Sequence, residues 1–272
     1  METFELYRFS LIERRQQDLY DQTQAMTREQ CLRFVFDQRF SFIHRSNEFH
    51  YVPNESSEVI IGKVGREKLI EENTPPSEGL ADLERMAWHA SVIVIDPSDN
   101  EDGQKLAMQW IDSVGKPNSV LKSMIGAINE IHPNLKYSFE LDQIVDVSNF
   151  WEFVRQNSGK ITQITFDVPV PNMFGSQENW DQDLRDARDK QRAKRVKVTY
   201  TNDDGQLDPE TDRIREAVDY TDRSSGKIAA RAKGKASFNS SSSNKITQLK
   251  VNDDQTVLQA ISTQIQRILG RE

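Results

Sequence analysis

Alternation dominates the start of the chain. In TFELYRFSLI, Phe4, Leu6, Arg8 and Ser10 fall on one side and Glu5, Tyr7, Phe9 and Leu11 on the other, which predicts a strand. DLYDQTQAMTREQCLRFVFDQ has mixed spacing and predicts a helix. RFSFIHRSNEFHYVPN predicts a hairpin turning at SNE, and EVIIGKVGREK a further strand. NTPPSEG, residues 73–79, breaks the pattern, because consecutive prolines remove backbone donors and hold the chain extended. WHASVIVIDPSDN predicts a buried strand stopped by an Asp-Pro turn. GQKLAMQWIDSVG and NSVLKSMIGAINEIH carry apolar residues at three- and four-residue spacing and predict helices, the second capped at Asn118 or Ser119. KYSFELDQIVDV predicts a strand, SNFWEFVRQN a short helix capped by Ser148, and KITQITFDVPVPN a strand whose prolines mark its exit.

The second half continues with a charged helix, NWDQDLRDARDKQRAK. Its Asp183–Arg188 and Asp186–Lys190 spacings suit a solvated, salt-bridged face. RVKVTYTNDDGQLD is a strand with a turn at Asp203, Asp204 and Gly205. DPETDRIREAVDY is a helix with Pro209 in its first turn. KIAARAKGKASF and NKITQLKV read as a strand pair joined by NSSSSN. The closing segment DDQTVLQAISTQIQRILGRE is amphipathic, with Val257, Ile261, Ile265, Ile268 and Leu269 in one stripe. This stripe either seals the chain's own sheet or offers a surface for a protein partner or homo-oligomer.

These elements imply an α+β fold with antiparallel or mixed sheets. Two ferredoxin-like subdomains are one compatible arrangement. The expected boundary lies near 172–180, in PNMFGSQEN, giving an N-terminal domain over 1–172 and a C-terminal domain over 180–272. A length of 272 residues suits one large or two small domains. With 36% hydrophobic residues the chain can bury a core. No run approaches the ~20 apolar residues of a membrane span. The N-terminus lacks a basic region followed by a cleavage site. The lone Cys31 cannot form an intramolecular disulfide and sits on the apolar side of a helix, where a core role fits better than a nucleophile. A cytoplasmic location is the expectation.

A net charge of −8 argues against a protein covered in nucleic-acid-binding charge, but not against a local basic site. Across 223–250, Arg223, Lys227, Arg231, Lys233, Lys235, Lys245 and Lys250 occur with no intervening acid. If KIAARAKGKASF is one strand, Lys227, Ala229, Arg231, Lys233 and Lys235 share a face, and Lys245 lies on the next strand. RNA or DNA is the natural partner of such a strip, because neutralised phosphates release counterions. Phe238 and Tyr220 are candidate stacking surfaces. The plainer alternatives are that lysines on an exposed strand guard against edge pairing, or balance the acids of the neighbouring helix.

Other chemistry is thinner. There is no phosphate loop in SSGKIAARAKGK, no dinucleotide fingerprint in GKVGREK around Gly62 and Gly65, and no HExxH. No cofactor or metal is therefore expected. His44 and His50 are an even number apart, so a straight strand would put both on one side, yet a turn between them breaks that geometry. His132, before Pro133, reads as a helix-end residue. Glu140 and Asp142 alternate on one strand and Asp167 lies on another. With Lys160 or Lys136 nearby, such a trio could serve a metal-dependent nuclease, and solvated strand faces are the bland alternative.

One resemblance adds to this reading. The order ITQITFDVPVPN, a charged helix, RVKVTYTNDDGQL, then IREAVDYTDRSSGKIAARAKGKASF is similar to an uncharacterised family of bacterial and phage proteins found near mobile-element and antiviral-defence loci. It covers about residues 160–250. The shared features are a strand ending in a Pro-Asn step, here Pro171 and Asn172, and a tyrosine followed by a glycine-containing basic strand, here Tyr220 to Lys235. The resemblance implies a role in bacterial or phage conflict and carries over no catalytic residue.

Overall fold

The computed structural model describes residues 1–14, 26–100, 103–170, 179–223, 226–240, 244–252 and 254–271. The chain divides into two compact units. One is Met1–Leu141 with Ile246–Glu272, and the other is Asp142–Lys245. The expected boundary at 172–180 falls largely outside the described residues. The actual division differs because the last strand and helices return to the first unit.

The first unit is built on an eight-stranded sheet. Its strands are β1 (Glu2–Glu13), β2 (Phe40–His44), β3 (Asn47–Ser56), β4 (Ile60–Asn73), β5 (Asp82–Asp96), β6 (Lys105–Gln109), β7 (Tyr137–Gln143) and β12 (Ile246–Leu249). The order is β12-β1-β6-β5-β4-β3-β2, with β7 also paired to β1. Two helices, α1 (Arg28–Phe36) and α2 (Pro117–Ile131), pack on one face. There Cys31, Val35, Phe36, Leu121, Met124 and Ile128 share a core with Tyr7, Phe9, Ile93, Ile95, Leu106 and Met108. Thr27 caps α1 in a reciprocal box with Gln30. The predicted helix reaching back to residue 18 lies partly outside the described residues.

Several local expectations change. KLAMQ is a strand, not a helix. All five of its residues are buried, so the polar alternation that marks a half-exposed strand is missing. Helix α2 starts at Pro117, one residue before the expected caps, because proline's fixed φ and missing N–H suit the first helical position. The hairpin turns at Arg45 and Ser46, both at positive φ. NTPPSEG is the tip of a long β4–β5 hairpin whose register runs from Ile60↔Ile95 to Asn73↔Asp82.

Two short helices, α6 (Val257–Thr263) and α7 (Ile265–Ile268), replace the single closing helix and break at Gln264. Ala260, Ile261, Ile268 and Leu269 are buried. Thr247 Oγ1 donates to Ile268 O and Lys105 Nζ to Leu269 O. The stripe therefore seals the chain's own sheet, and it is not the oligomer surface considered from the sequence.

The second unit holds a four-stranded antiparallel sheet of β8 (Ile161–Pro169), β9 (Arg195–Thr201), β10 (Lys227–Ala232) and β11 (Ser237–Asn239), ordered β11-β10-β8-β9. Helices α3 (Val147–Gln156), α4 (Asn179–Gln191) and α5 (Asp212–Arg223) cover one face. Phe150, Val154, Trp180, Leu184, Ile214 and Val218 meet Ile164, Phe166, Val168, Ile228 and Ala230 there. Asp146, not Ser148, caps α3. From β8 onward the elements run β-α-β-α-β-β, not the β-α-β-β-α-β of a ferredoxin-like half. The α+β class holds, and the ferredoxin-like arrangement does not.

Candidate nucleic-acid interface

The side of the second sheet away from its helices is made by alternation. In RVKVTYT, Arg195, Lys197, Thr199 and Thr201 are exposed while Val196, Val198 and Tyr200 turn toward the helices. In KIAARA, Lys227 and Arg231 are exposed and Ala229 half-buried, while Ile228, Ala230 and Ala232 enter the core. Gln163, Thr165 and Asp167 of β8 lie between them.

The register arranges these residues in rows. Lys227 pairs with Asp167, and Asp167 with Lys197. Next comes Asn239–Ala229–Thr165–Thr199, then Ser237–Arg231–Gln163–Thr201. Lys227 and Lys197 stand two strand spacings apart, roughly 9–10 Å, and Lys227 and Arg231 roughly 13 Å along one strand. Because Ala229 contributes only a methyl group, a depression of about 330 Å³ opens between Thr165, Lys197, Ala229, Arg231 and Ser237.

Asp167 is the carboxylate of this face among the described residues of its strands. Its Oδ1 accepts from Arg195 Nε at 2.9 Å. Among the described residues Lys227, Lys197 and Arg231 make no ion pair, so the face carries an excess of positive charge. The hydroxyls and amides of Gln163, Thr165, Thr199, Ser237 and Asn239 supply hydrogen-bonding groups between the cations.

The five cations expected to act together are placed differently. Lys227 and Arg231 share the open strand face as expected. The strand ends at Ala232, because Gly234 and Lys235 take positive φ (83° and 69°) in the β10–β11 turn, closed by Ala232 N–H to Ala236 O. Lys233 and Lys235 therefore sit on a turn at the Arg231 end and not on the strand face. The Lys233 N–H bonds Lys160 O, and its stem lies against Gly205. Lys245 is half-buried, beside the Asn244–Val145 bridge, and belongs to no strand of this sheet. Its expected strand, NKITQLKV, does not pair with KIAARA but becomes β12 of the first unit.

Lys197 and Arg195 are the functional candidates that the sequence reading missed. Strict alternation in RVKVTYT already put both on one side. What was absent was the pairing through β8 that brings this side level with Lys227.

The stacking candidates are core residues. Phe238 packs on Phe150 and Phe153, with ring centroids 5.9 and 6.0 Å away. Tyr220 is buried and donates to Pro169 O. Asp167 stands among cations, and among the described residues no group of three His, Cys, Asp or Glu side chains is placed to hold a metal ion. Glu140, Asp142 and Asp167 thus form no such cluster.

His44 and His50 face opposite sides of their hairpin. His44 is turned inward, its Nδ1 2.8 Å from Ser123 Oγ, while His50 pairs across from exposed Ser41. Burial lowers the pKa of His44, aided by Arg45 and Arg66. Cys31 is fully buried, and burial raises its thiol pKa, which fits the core role. No helix among the described residues is long and apolar enough to cross a membrane.

Fold and site together define an α+β chain whose second sheet presents one open, cationic, hydroxyl-rich face. Compared with known proteins, the chain matches no family model, no curated protein and no solved structure.

Proposed function

We propose that the open face of the second sheet binds the phosphate backbone of RNA or DNA, and that the chain acts as a nucleic-acid sensor in bacterial antiviral defence. The observation that carries the binding is the position of Lys227 and Arg231. Arg231 lies where β10 is flanked by β11 and β8, opposite Ser237 and Gln163, while Lys227 lies beyond the last β11 partner and pairs with Asp167 of β8. Protection of a sheet edge, the bland explanation for strand lysines, therefore does not account for Arg231. Lys197 and Arg195 on β9 extend the same charge across the sheet.

Among the described residues no aromatic ring is placed on this face, since Tyr200, Phe238 and Tyr220 all pack against the core. Contact is then through phosphates and sugars without stacking of bases, so the binding is largely indifferent to sequence. Placement in antiviral defence, in the bacterial cytoplasm, rests on the family resemblance over 160–250 and on the unpaired, buried Cys31.

The test is gel-shift titration of a labelled duplex and a labelled single strand at low salt. Binding should disappear when Lys227, Arg231 and Lys197 are replaced together by glutamate. Unchanged binding in that variant would remove the proposal.

A further inference from the structure

Among the described residues, none covers the outer part of the β4–β5 hairpin. From Glu67↔Trp88 outward to Asn73↔Asp82, few residues of either strand are even half-buried. One face of this ribbon nevertheless carries large apolar side chains side by side. Leu69 and Met86 are directly paired and Trp88 is next along, with exposures of 48%, 54% and 62%. An isolated two-stranded ribbon is marginal in water, and a contiguous apolar patch on it signals an interface.

The charges along this face are graded. At the tip stand Asp82, Glu84 and Glu71, all exposed. At the base, on the same side of the sheet, stands Lys63, and Arg39 borders a depression of about 420 Å³ beside Trp88, His50, Ser41 and Val52. Glu67 stands opposite Trp88. Lys63 and Glu71 are eight residues apart on one strand, roughly 26 Å. Two such faces stacked tip-on-tip would oppose like charges. Stacked in opposite directions with Glu71 level with Lys63, each acidic tip meets the cationic base of the other, the Glu67–Trp88 pairs cross at the two-fold, and Leu69 and Met86 of each copy meet the Gly65–Ala90 pair of the other. A surface complementary to its own two-fold copy is what an isologous dimer requires.

We propose that the β4–β5 ribbon is a self-association arm, through which two copies of this chain pack face to face, in opposite directions, over Leu69, Met86 and Trp88. The depression beside Trp88 receives apolar side chains from the partner copy. This inference is independent of the nucleic-acid reading, which concerns the other unit.

Sedimentation equilibrium of the full chain over a concentration series tests it. The wild type should show a two-chain mass. Trp88→Lys with Met86→Lys should give a one-chain mass, with an unchanged circular dichroism spectrum because both side chains are already exposed. Glu71→Lys with Glu84→Lys should weaken association by at least about tenfold, and so should Arg39→Glu with Lys63→Glu. All four changes in one chain should restore it. A one-chain wild type would overturn the proposal and leave the arm to a different partner. A dimer that survives Trp88→Lys and Met86→Lys, or a fourfold swap that restores nothing, would overturn it equally.

Discussion

Salt dependence is the most direct measure of the open sheet face. Lys227, Arg231 and Lys197 stand on it without ion pairs among the described residues, while Arg195 is shared with Asp167. Each cation that neutralises a duplex phosphate contributes about −0.9 to the slope of log K against log salt, so these three predict a slope of about −2.7. Between about 50 and about 200 mM salt the affinity should then fall by about 40-fold. Lys227→Ala with Arg231→Ala leaves Lys197, so the slope should flatten to about −0.9 and the same change in salt should weaken binding only about 3.5-fold. Fluorescence anisotropy of a labelled duplex of mixed sequence, titrated at several salt concentrations, reads both slopes. A double variant with the wild-type slope would show that the phosphates sit elsewhere and would refute the reasoning.

Further outcomes follow from single contacts. Asp167→Asn removes a carboxylate from the face and frees Arg195, so anisotropy should show binding tightened by about two- to fivefold; a nuclease using Asp167 would instead lose cleavage of plasmid or RNA in divalent metal. Gly62→Ala would place its Cβ 2.5 Å from Tyr51 Oη, whose hydroxyl donates to Phe36 O, and urea denaturation should show a loss of about 1–3 kcal/mol that shrinks in a Tyr51→Ala background. Burial holds the imidazoles of His44 and His132 below their ordinary value. The unfolded chain, with histidine near about 6.5, therefore binds more protons than the native state in acid. Their contribution is complete above about pH 6.5 and is lost as pH falls through the folded values. The urea midpoint should drop from about pH 7 to about pH 5, and His44→Gln should flatten that drop; an equal drop would contradict it.

What the sequence made legible depended on where each interaction lay along the chain. Alternation was enough for the β2–β3 hairpin and for the faces of β8, β9 and β10, because a half-exposed strand writes its inside and outside into successive residues; in β1 it named the strand but not its burial, since Phe4 to Phe9 are all buried. It failed for KLAMQ, which is buried on both sides and so has no polar face to alternate. It also failed wherever pairing was distant in sequence. Thr247 lies beside Phe4 in the first sheet, and nothing near either residue states that. The ends of elements were harder again, since Asp146 accepts from the Ser148 N–H and so caps the helix that Ser148 was expected to cap.

The candidate site divides along the same line. Lys227 and Arg231 are two turns of one alternation, and their common face needed only local information. Lys233 and Lys235 were extrapolated along that alternation past a glycine at φ 83°, where the backbone reverses. The A-K-G-K-A pattern already held the turn signal, because glycine tolerates that region and its neighbours gain a hairpin by using it. Lys197 was the converse case. Its direction was evident, but its usefulness depends on β8 lying between β9 and β10 and setting Asp167 level with both lysines. A charged surface built across strands is thus a property of register. The same register that gathers Lys227 and Lys197 also places Asp167 among cations, where Arg195 holds it, and takes it out of any set of converging acids. One pairing therefore both assembles the open cationic face and leaves the nuclease reading without a metal-holding cluster among the described residues.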